Sequence, residues 1–137
     1  MYAVSLGAKV IFSSATSANY ILDSPSANPQ AWTPVNNQLG EWIQVSAEGL
    51  KWWTGVVVQG RGDHPSWVTS VKISYTRNGS IWKHINDGKA FAANIDQNQQ
   101  LAIDFDEPVC ARALRIYPQT WHNGIAMRFD AVYVELP

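Results

Sequence analysis

Apolar and polar side chains alternate along most of this chain with the period of two that is typical of a half-buried β-strand. In the segment 67–75, Val71 and Ile73 fall on one face, whereas Lys72 and Ser74 fall on the other. Apolar positions with a helical period are nearly absent, so the pattern predicts an all-β domain. The other segments with a strand pattern are 9–12, 42–45, 54–60, 81–85, 101–105, 113–117 and 125–136.

Turn signals separate these segments. Asn78-Gly79 lies between two strand patterns, and this dipeptide is the strongest short signal for a β-hairpin. Asp106-Glu107-Pro108 is expected to end the strand at 101–105, and a slip in the alternation within 125–136 predicts a β-bulge. About eight short strands, regularly spaced and joined by turns, predict a β-sandwich or jelly roll.

The direction of successive strands places most of the polar loops at one end of the sandwich. The loops at 61–66, 94–100 and 118–124 should meet there with the long loop at 13–31, opposite the Asn78-Gly79 turn. Loops longer than about 12–15 residues are uncommon in compact domains and are often functional. The sequence therefore predicts a binding surface on these loops.

Charge and composition exclude several classes of protein. The 137 residues include 46% apolar and 15% charged side chains, and 1–137 is expected to fold as one domain. A net charge of −1 without a cluster of Lys or Arg argues against nucleic acid as a partner and against a charge-driven membrane contact. No segment reaches the length of a transmembrane helix. The single cysteine, Cys110, excludes an intrachain disulfide.

Motifs for catalysis are absent from the sequence. His64, His84 and His122 lack the close spacing of zinc ligands, and Cys110 has no histidine near it along the chain. The Gly-x-Ser-x-Gly and phosphate-binding loop motifs are also missing. We therefore expect a binding module that requires no cofactor, and not an enzyme.

The first residues, Met1 to Leu6, lack the basic and long apolar regions of a signal peptide. The expected site of synthesis is therefore the cytoplasm. Unconventional secretion to the cell surface stays open as an alternative.

From residue 30 onward the chain resembles the discoidin domain, also called the coagulation factor type C domain. The resemblance rests on the number, order and spacing of short motifs, each of which is weak alone. In the slime-mould discoidin lectins, a branch of this family, the N-terminal domain carries a similar Gln-Gly-Arg-Gly-Asp loop followed by Trp-Val-Thr-Ser. The motifs of this chain are Ala31–Pro34, Glu41–Val45, Val57–Asp63, Trp67–Ile73, Ser80–Trp82, Ala111–Pro118 and Thr120–Arg128.

This resemblance implies an eight-stranded antiparallel jelly-roll β-sandwich of the galactose-binding-domain type, with its ligand site on the loops at one end. In the lectins the resemblance implies recognition of galactose or N-acetylgalactosamine. In other branches of the family it implies recognition of phospholipid, collagen or peptide. Glycans or glycoproteins are thus the expected partners, in cell adhesion or recognition. A homo-oligomer would raise the avidity of a weak single site. A protein- or phospholipid-binding adhesion domain is the alternative.

Three features depart from the family pattern. The two cysteines that tie the domain ends in many extracellular members are missing, and Ser46-Ala47-Glu48 stands where many members have Asp-Leu-Gly. The phospholipid-binding branch carries exposed Trp or Phe on its first loop, where this chain offers Tyr20, Ile21 and Leu22. The last departure weakens the phospholipid alternative.

A sugar site needs planar polar groups for pairs of hydroxyls and an aromatic face for the C–H side of the ring. Arg61 offers a rigid fork of donors and Asp63 a pair of acceptor oxygens. In the alternative, these two side chains pair with each other and only shape their loop. The candidate ligand-binding residues are Tyr20, Trp32, Asn36, Asn37, Arg61, Asp63 and His64.

Two further interpretations concern the same loops. Arg61-Gly62-Asp63 matches the tripeptide that integrins recognise, although a match of three residues often arises by chance. Some sugar-binding relatives hold a structural calcium before the Ala-Trp step. Here the ion would have to use Asp23 and backbone carbonyls, because Ser26–Gln30 contains no carboxylate.

Seven tryptophans are a high number for this length. Trp42, Trp67 and Trp82 fall in strand patterns and are expected in the core. Trp52 and Trp53 fall between strand patterns, where an exposed pair would suit self-association.

Overall fold

Nine β-strands form in the part of the chain that the computed structural model describes, residues 1–24 and 29–135. A short 3₁₀ turn forms at Ile85–Gly88. No helix in the described residues is long and apolar enough to cross a membrane. The strands are β1 (Lys9–Phe12), β2 (Ser17–Ala18), β3 (Trp32–Thr33), β4 (Ile43–Gln59), β5 (Trp67–Thr76), β6 (Trp82–His84), β7 (Phe91–Ala92), β8 (Leu101–His122) and β9 (Arg128–Val134).

The strands β4 and β8 are long enough to take part in both layers of a sandwich. Near its start β4 pairs Ile43 with Ile116 of β8, and near its end it pairs Val58 with Leu101 of the same strand. Register shifts in the middle of β4 mark the bend between the layers. β1, β5, β6 and β7 complete one layer and β9 the other, with antiparallel pairing throughout. The predicted all-β sandwich is confirmed.

Several strand boundaries differ from the sequence prediction. Two predicted strands, 42–45 and 54–60, fall almost entirely within the single strand β4. Likewise, β8 contains both 101–105 and 113–117. β8 also continues through Asp106-Glu107-Pro108 and most of the loop expected at 118–124, because bulges let a strand bend while it keeps its partners. The Trp52-Trp53 pair consequently lies within β4 and not between strands.

The core fills the space between the two layers with aliphatic and aromatic side chains. Trp32 and Trp53 are fully buried in it, and Trp53 Nε1 donates to the carbonyl oxygen of Ala111 over 2.7 Å. Cys110 is a free, half-buried thiol. Packing and hydrogen bonds therefore hold the described residues together without a covalent cross-link.

Trp42, Trp67 and Trp82 are half-buried outside this core, so the expectation that they pack inside is wrong. The Arg115 guanidinium lies between two of them, 4.0 Å from the Trp42 ring centroid and 4.2 Å from that of Trp82. Its Nε also donates to Gln44 Oε1 over 2.8 Å. A cation–π stack on the outer face of the sheet thus stabilises these two indoles outside the core.

A β-bulge in β4 explains the slip in the alternation near the C-terminus. Trp53 pairs with Tyr133 and Gly55 pairs with Val132, so Thr54 is an extra residue on β4. The predicted irregularity therefore exists, but it lies on the strand that faces β9 and not on β9 itself.

The two ends of the sandwich are built differently. The end that we call the loop pole contains residues 20–24, 29–37, 60–66, 94–100 and 122–125. The opposite end, the hairpin pole, contains the bends of β4 and β8 and the hairpin between β5 and β6.

Candidate functional site

Hydrogen bonds join three segments of the loop pole into a closed ring. Gln30 N donates to Asp63 Oδ1 over 3.0 Å, and Asn123 Nδ2 donates to the carbonyl oxygen of Pro65 over 2.6 Å. Asn37 closes the ring, because its Oδ1 accepts a backbone N–H from the loop of Asn123 over 2.9 Å. These contacts bring together the 61–66 loop, the end of the long loop expected at 13–31 and the end of the segment expected at 118–124, as strand direction predicted.

Arg61 and Asp63 form a two-point ion pair on this ring. Arg61 Nε lies 2.7 Å from Asp63 Oδ1, and Arg61 Nη2 lies 3.2 Å from Asp63 Oδ2. Their side chains stay 20% and 25% exposed, so both charged groups still reach solvent. The hydrogen bonds from Arg61, helped by the N–H of Gln30, lower the pKa of Asp63 from 3.8 to about 2. Asp63 is thus an anion at every physiological pH.

A side chain at Gly62 would displace the side chain of Gln30. A Cβ atom at this position would lie 2.6 Å from Gln30 Oε1, which is shorter than a van der Waals contact. Gln30 Nε2 in turn donates to the carbonyl oxygen of Ser24. In the Arg61-Gly62-Asp63 tripeptide, the two charged side chains are therefore closed onto each other, in an arrangement that does not favour separate contacts to an integrin.

The other candidates lie on the loops of the same pole and differ in exposure. His64 is exposed, and its Nδ1 lies 2.8 Å from Ser66 Oγ. Asn36 is exposed at the start of the segment that leads into β4, and Asn37 Oδ1 is bonded while its Nδ2 has no hydrogen-bond partner among the described residues. Tyr20 is half-buried, with its ring centroid 6.1 Å from that of Phe129.

Trp32 is the candidate that the structure corrects. Its side chain has no exposed surface, its backbone pairs with Met127, and its Nε1 donates to the carbonyl oxygen of Ser14 over 3.0 Å. An indole in this position cannot touch a ligand. The loop position of Trp32 in the sequence was misleading, because β3 carries its side chain into the core beneath the ring.

A stacked pair of rings borders the ligand loops instead. The rings of Trp67 and His122 lie 4.3 Å apart at an angle of 18°. Trp67 begins β5 next to the 60–66 loop, since a Cβ atom at Gly60 would lie 2.8 Å from Trp67 Cβ. The sequence pattern predicts Trp67 in the core and assigns His122 no role in binding, so this aromatic pair is apparent only from the structure.

A buried polar network lies beneath the ring. Arg128 is 2% exposed, and its Nε donates to the carbonyl oxygen of Gly60 over 2.7 Å. Its Nη2 donates to the carbonyl oxygen of Gln97 over 3.1 Å and to Asn98 Oδ1 over 3.0 Å. Burial lowers the pKa of the guanidinium, although the nearby carboxylates oppose this effect. Arg128 remains a cation and fixes two ligand loops from below.

Gln59 extends the same network to the first loop. It is 1% exposed; its Nε2 donates to Asp23 Oδ1 over 2.9 Å and to the carbonyl oxygen of Asn98 over 2.6 Å. Gln100 Nε2 donates to Asp23 Oδ2 over 2.7 Å. The loops near residues 23, 60 and 98 are consequently held as one unit. The only sign of this network in the sequence is a set of polar residues at the end of a strand and in the flanking loops. The sequence does not show that these residues meet.

The calcium site expected at Asp23 lies only partly within the described residues. Among them, no group of three His, Cys, Asp or Glu side chains lies together. Asp23, the predicted ligand, has both carboxylate oxygens occupied by amide donors from Gln59 and Gln100. The neighbouring stretch Ser26–Gln30 lies partly outside the described residues.

Comparisons with known proteins identify the family. Residues 5–130 match the family model of the F5/8 type C domain. Discoidin-2 of Dictyostelium discoideum is 35% identical over 101 residues, which cover 74% of this chain and 39% of that protein. The chain thus spans about two fifths of the length of that relative.

Solved structures agree with this match. Discoidin II of Dictyostelium discoideum superposes with a TM-score of 0.93 at 25% identity, over 100% of this chain and 59% of that chain. The family 32 carbohydrate-binding module of Clostridium perfringens NanJ, solved in complex with galactose, has a TM-score of 0.70 at 11% identity over 95% and 96% of the two chains. At that identity the second likeness concerns the fold alone.

The chain belongs to the F5/8 type C (discoidin) domain family. Domains of this family are binding modules without catalytic function, and this domain is therefore a binding module and not an enzyme.

Proposed function

We propose that this domain binds glycans that end in galactose or N-acetylgalactosamine, through the ring of loops at the loop pole, in cell adhesion or recognition. The observation that carries the proposal is the partly exposed Arg61–Asp63 ion pair at the rim of that ring. The expected partners are cell-surface glycans or glycoproteins.

The ion pair offers the chemistry that adjacent sugar hydroxyls require. Arg61 uses Nε and Nη2 in the pair, and its partly exposed side chain has a further donor nitrogen, Nη1, to offer a ligand. Asp63 keeps lone pairs free on an oxygen that accepts only one hydrogen bond, and its low pKa keeps it an acceptor. One hydroxyl can therefore accept from the guanidinium while its neighbour donates to the carboxylate.

The surroundings supply the other elements of a sugar site. The exposed side chains of His64 and Asn36 and the free amide of Asn37 add donors and acceptors. The Trp67–His122 stack provides an aromatic wall for the C–H face of a ring. Galactose is the first ligand to test, because the NanJ module was solved with this sugar.

The test is a ¹H–¹⁵N NMR titration of the domain with galactose, with N-acetylgalactosamine and with lactose. We expect shifts confined to the loop pole, and a loss of affinity of about tenfold or more in Arg61→Ala. The matched control is Arg112→Ala, which removes an exposed arginine side chain at the hairpin pole and should bind normally. A glycan array on which no galactoside exceeds background would end the proposal. Normal binding by Arg61→Ala would refute the site.

Phospholipid binding is the second candidate function, and one observation favours it. Ile21 and Ile95 are 54% and 76% exposed on two different loops of the same pole. Isolated apolar side chains on loop tips can insert into the interface of a membrane. Co-sedimentation with phosphatidylserine vesicles tests this candidate. Binding that Ile95→Ser abolishes would support it, and absence of the wild-type domain from the pellet would remove it.

A further inference from the structure

A groove at the hairpin pole, far from the ring of loops, has no role in the function proposed above. It encloses 540 Å³, which lies within the range of small-ligand sites. Its apolar wall includes Trp52 and Ile81, and its polar groups include Arg77, Lys83 and Glu107. We propose that this groove is a second ligand site, which takes an acidic saccharide unit bearing a carboxylate or a sulfate.

The aromatic wall of the groove is a direct consequence of strand geometry. Trp53 points into the core, where its indole is fully buried, so its neighbour Trp52 must point outward. The indole of Trp52 is 37% exposed and lines the groove together with Tyr75. Such an aromatic surface is suited to the C–H face of a sugar ring.

The charges of the groove favour an anion. Arg77 and Lys83 are both exposed, and neither forms an ion pair with any residue that the structure describes. Arg112 is anchored beside them, because its Nε donates to the carbonyl oxygen of Arg77 over 2.8 Å. Glu107 is the carboxylate among the lining residues. Among the lining residues, two cations stand against one carboxylate, so the groove itself carries a net positive charge although the chain as a whole is slightly acidic.

Side-chain hydrogen bonds stabilise the hairpin that carries Arg77 and Lys83. Asn78 Oδ1 accepts the N–H groups of Ser80 and Ile81 over 2.8 and 2.9 Å, and Thr76 Oγ1 accepts that of Gly79 over 2.9 Å. These bonds hold the turn in one conformation before any ligand arrives. A preorganised turn lowers the entropic cost of binding.

The two strands that carry the aromatic wall of the groove are paired on both sides, which favours a saccharide over an extended peptide at this wall. Trp52 pairs on one side with Cys110 and on the other with Val134. Tyr75 likewise pairs with Leu114 and Lys83. Neither of these two strands offers the free edge to which a peptide strand could add.

The experiment is an NMR titration that follows the Trp52 indole N–H, with glucuronic acid, a sulfated uronic acid disaccharide and lactose as probes. We expect the two acidic probes to shift this signal, more weakly at 500 mM than at 50 mM NaCl because salt screens the attraction. Lactose should leave it unchanged. The difference between the two acidic probes shows how much the sulfated second unit adds to binding by the carboxylate.

Variants of two exposed cations test whether the acidic saccharide binds in this groove. Arg77→Ala and Lys83→Ala should each weaken acidic saccharide binding by about tenfold, whereas Lys89→Ala, an equally exposed cation outside the groove, should not. The outcomes that overturn the proposal are an unshifted Trp52 signal, an equal shift with lactose, or an effect of Lys89→Ala as large as that of Arg77→Ala. Failure here leaves galactoside binding at the loop pole untouched, since that titration reports on other signals.

Discussion

Asp63 shows how one residue links the shape of a loop to its charge. Its carboxylate is held by Arg61 and by the N–H of Gln30, and its pKa falls from 3.8 to about 2. A carboxyl whose pKa is lower in the folded state contributes to stability above its unfolded value. This contribution is present above pH 3.8 and is lost as the pH falls through about 2.

We expect Arg61→Ala to raise the pKa of Asp63 toward 3.8 without fully reaching it, because the N–H of Gln30 still donates to the carboxylate. The side-chain ¹³C carboxyl shift, followed from pH 6 down to about pH 1.5, measures this change. Arg112→Ala should leave the Asp63 titration as it is. An identical pKa in wild type and Arg61→Ala would show that the ion pair does not form in solution.

At the scale of a strand, the bulge of β4 depends on Gly55. A Cβ atom at this position would clash with the carbonyl oxygen of Ile103 in the neighbouring strand and would lie 3.3 Å from Asp104 Cα. Both are backbone atoms of a paired strand, which cannot move aside as a flexible side chain can. The glycine therefore allows β4 and β8 to remain adjacent where the register shifts.

Gly55→Ala should lower the free energy of unfolding by about 1–3 kcal/mol, because the added methyl forces the two strands apart. Urea unfolding followed by tryptophan fluorescence measures this loss. Gly124→Ala is the matched control, since its Cβ would meet only the end of the Asn37 side chain, at 3.2 Å. Equal losses in the two variants would contradict a role for the close strand contact.

At the scale of the whole molecule, Arg128 ties the last strand to the ligand loops. Its guanidinium donates to carbonyl oxygens of Gly60 and Gln97 from a position that is 2% exposed. No carboxylate of the described residues lies within ion-pair distance of it. The carbonyl oxygens would be left buried without donors if this side chain were removed.

Arg128→Met should therefore lower the free energy of unfolding by about 2–4 kcal/mol and loosen the loop pole. Hydrogen exchange should accelerate in the 60–66 and 94–100 loops more than in β5, and thermal unfolding should report the loss of stability. Arg112→Met, at an exposed position, is the control and should change neither. Uniform acceleration along the whole chain would instead mean that Arg128 has a general structural role.

The candidate site was predictable in outline and not in detail. The period-two pattern and the turns placed Arg61, Asp63 and His64 on a loop, and strand direction brought that loop to the same pole as Asn36. Whether Arg61 and Asp63 pair with each other or bind a ligand separately depends on loop geometry, which the sequence does not show. The contribution of Gln59, Arg128 and Asp23 depends on contacts between residues far apart in the chain, which no local pattern records.

The sequence by itself determined the all-β class, the position of most turns and the set of polar loops, because these follow from alternation and from local turn chemistry. Alternation also indicated the core face of β5, where Val71 and Ile73 are buried, but tertiary structure decided which of the tryptophans entered the core. Trp32 is buried, whereas Trp52 and Trp67 retain exposed surface, although all three are equally apolar. The physical reason is that burial depends on which distant strand covers a face, and bulges in β4 and β8 shift that choice by one residue.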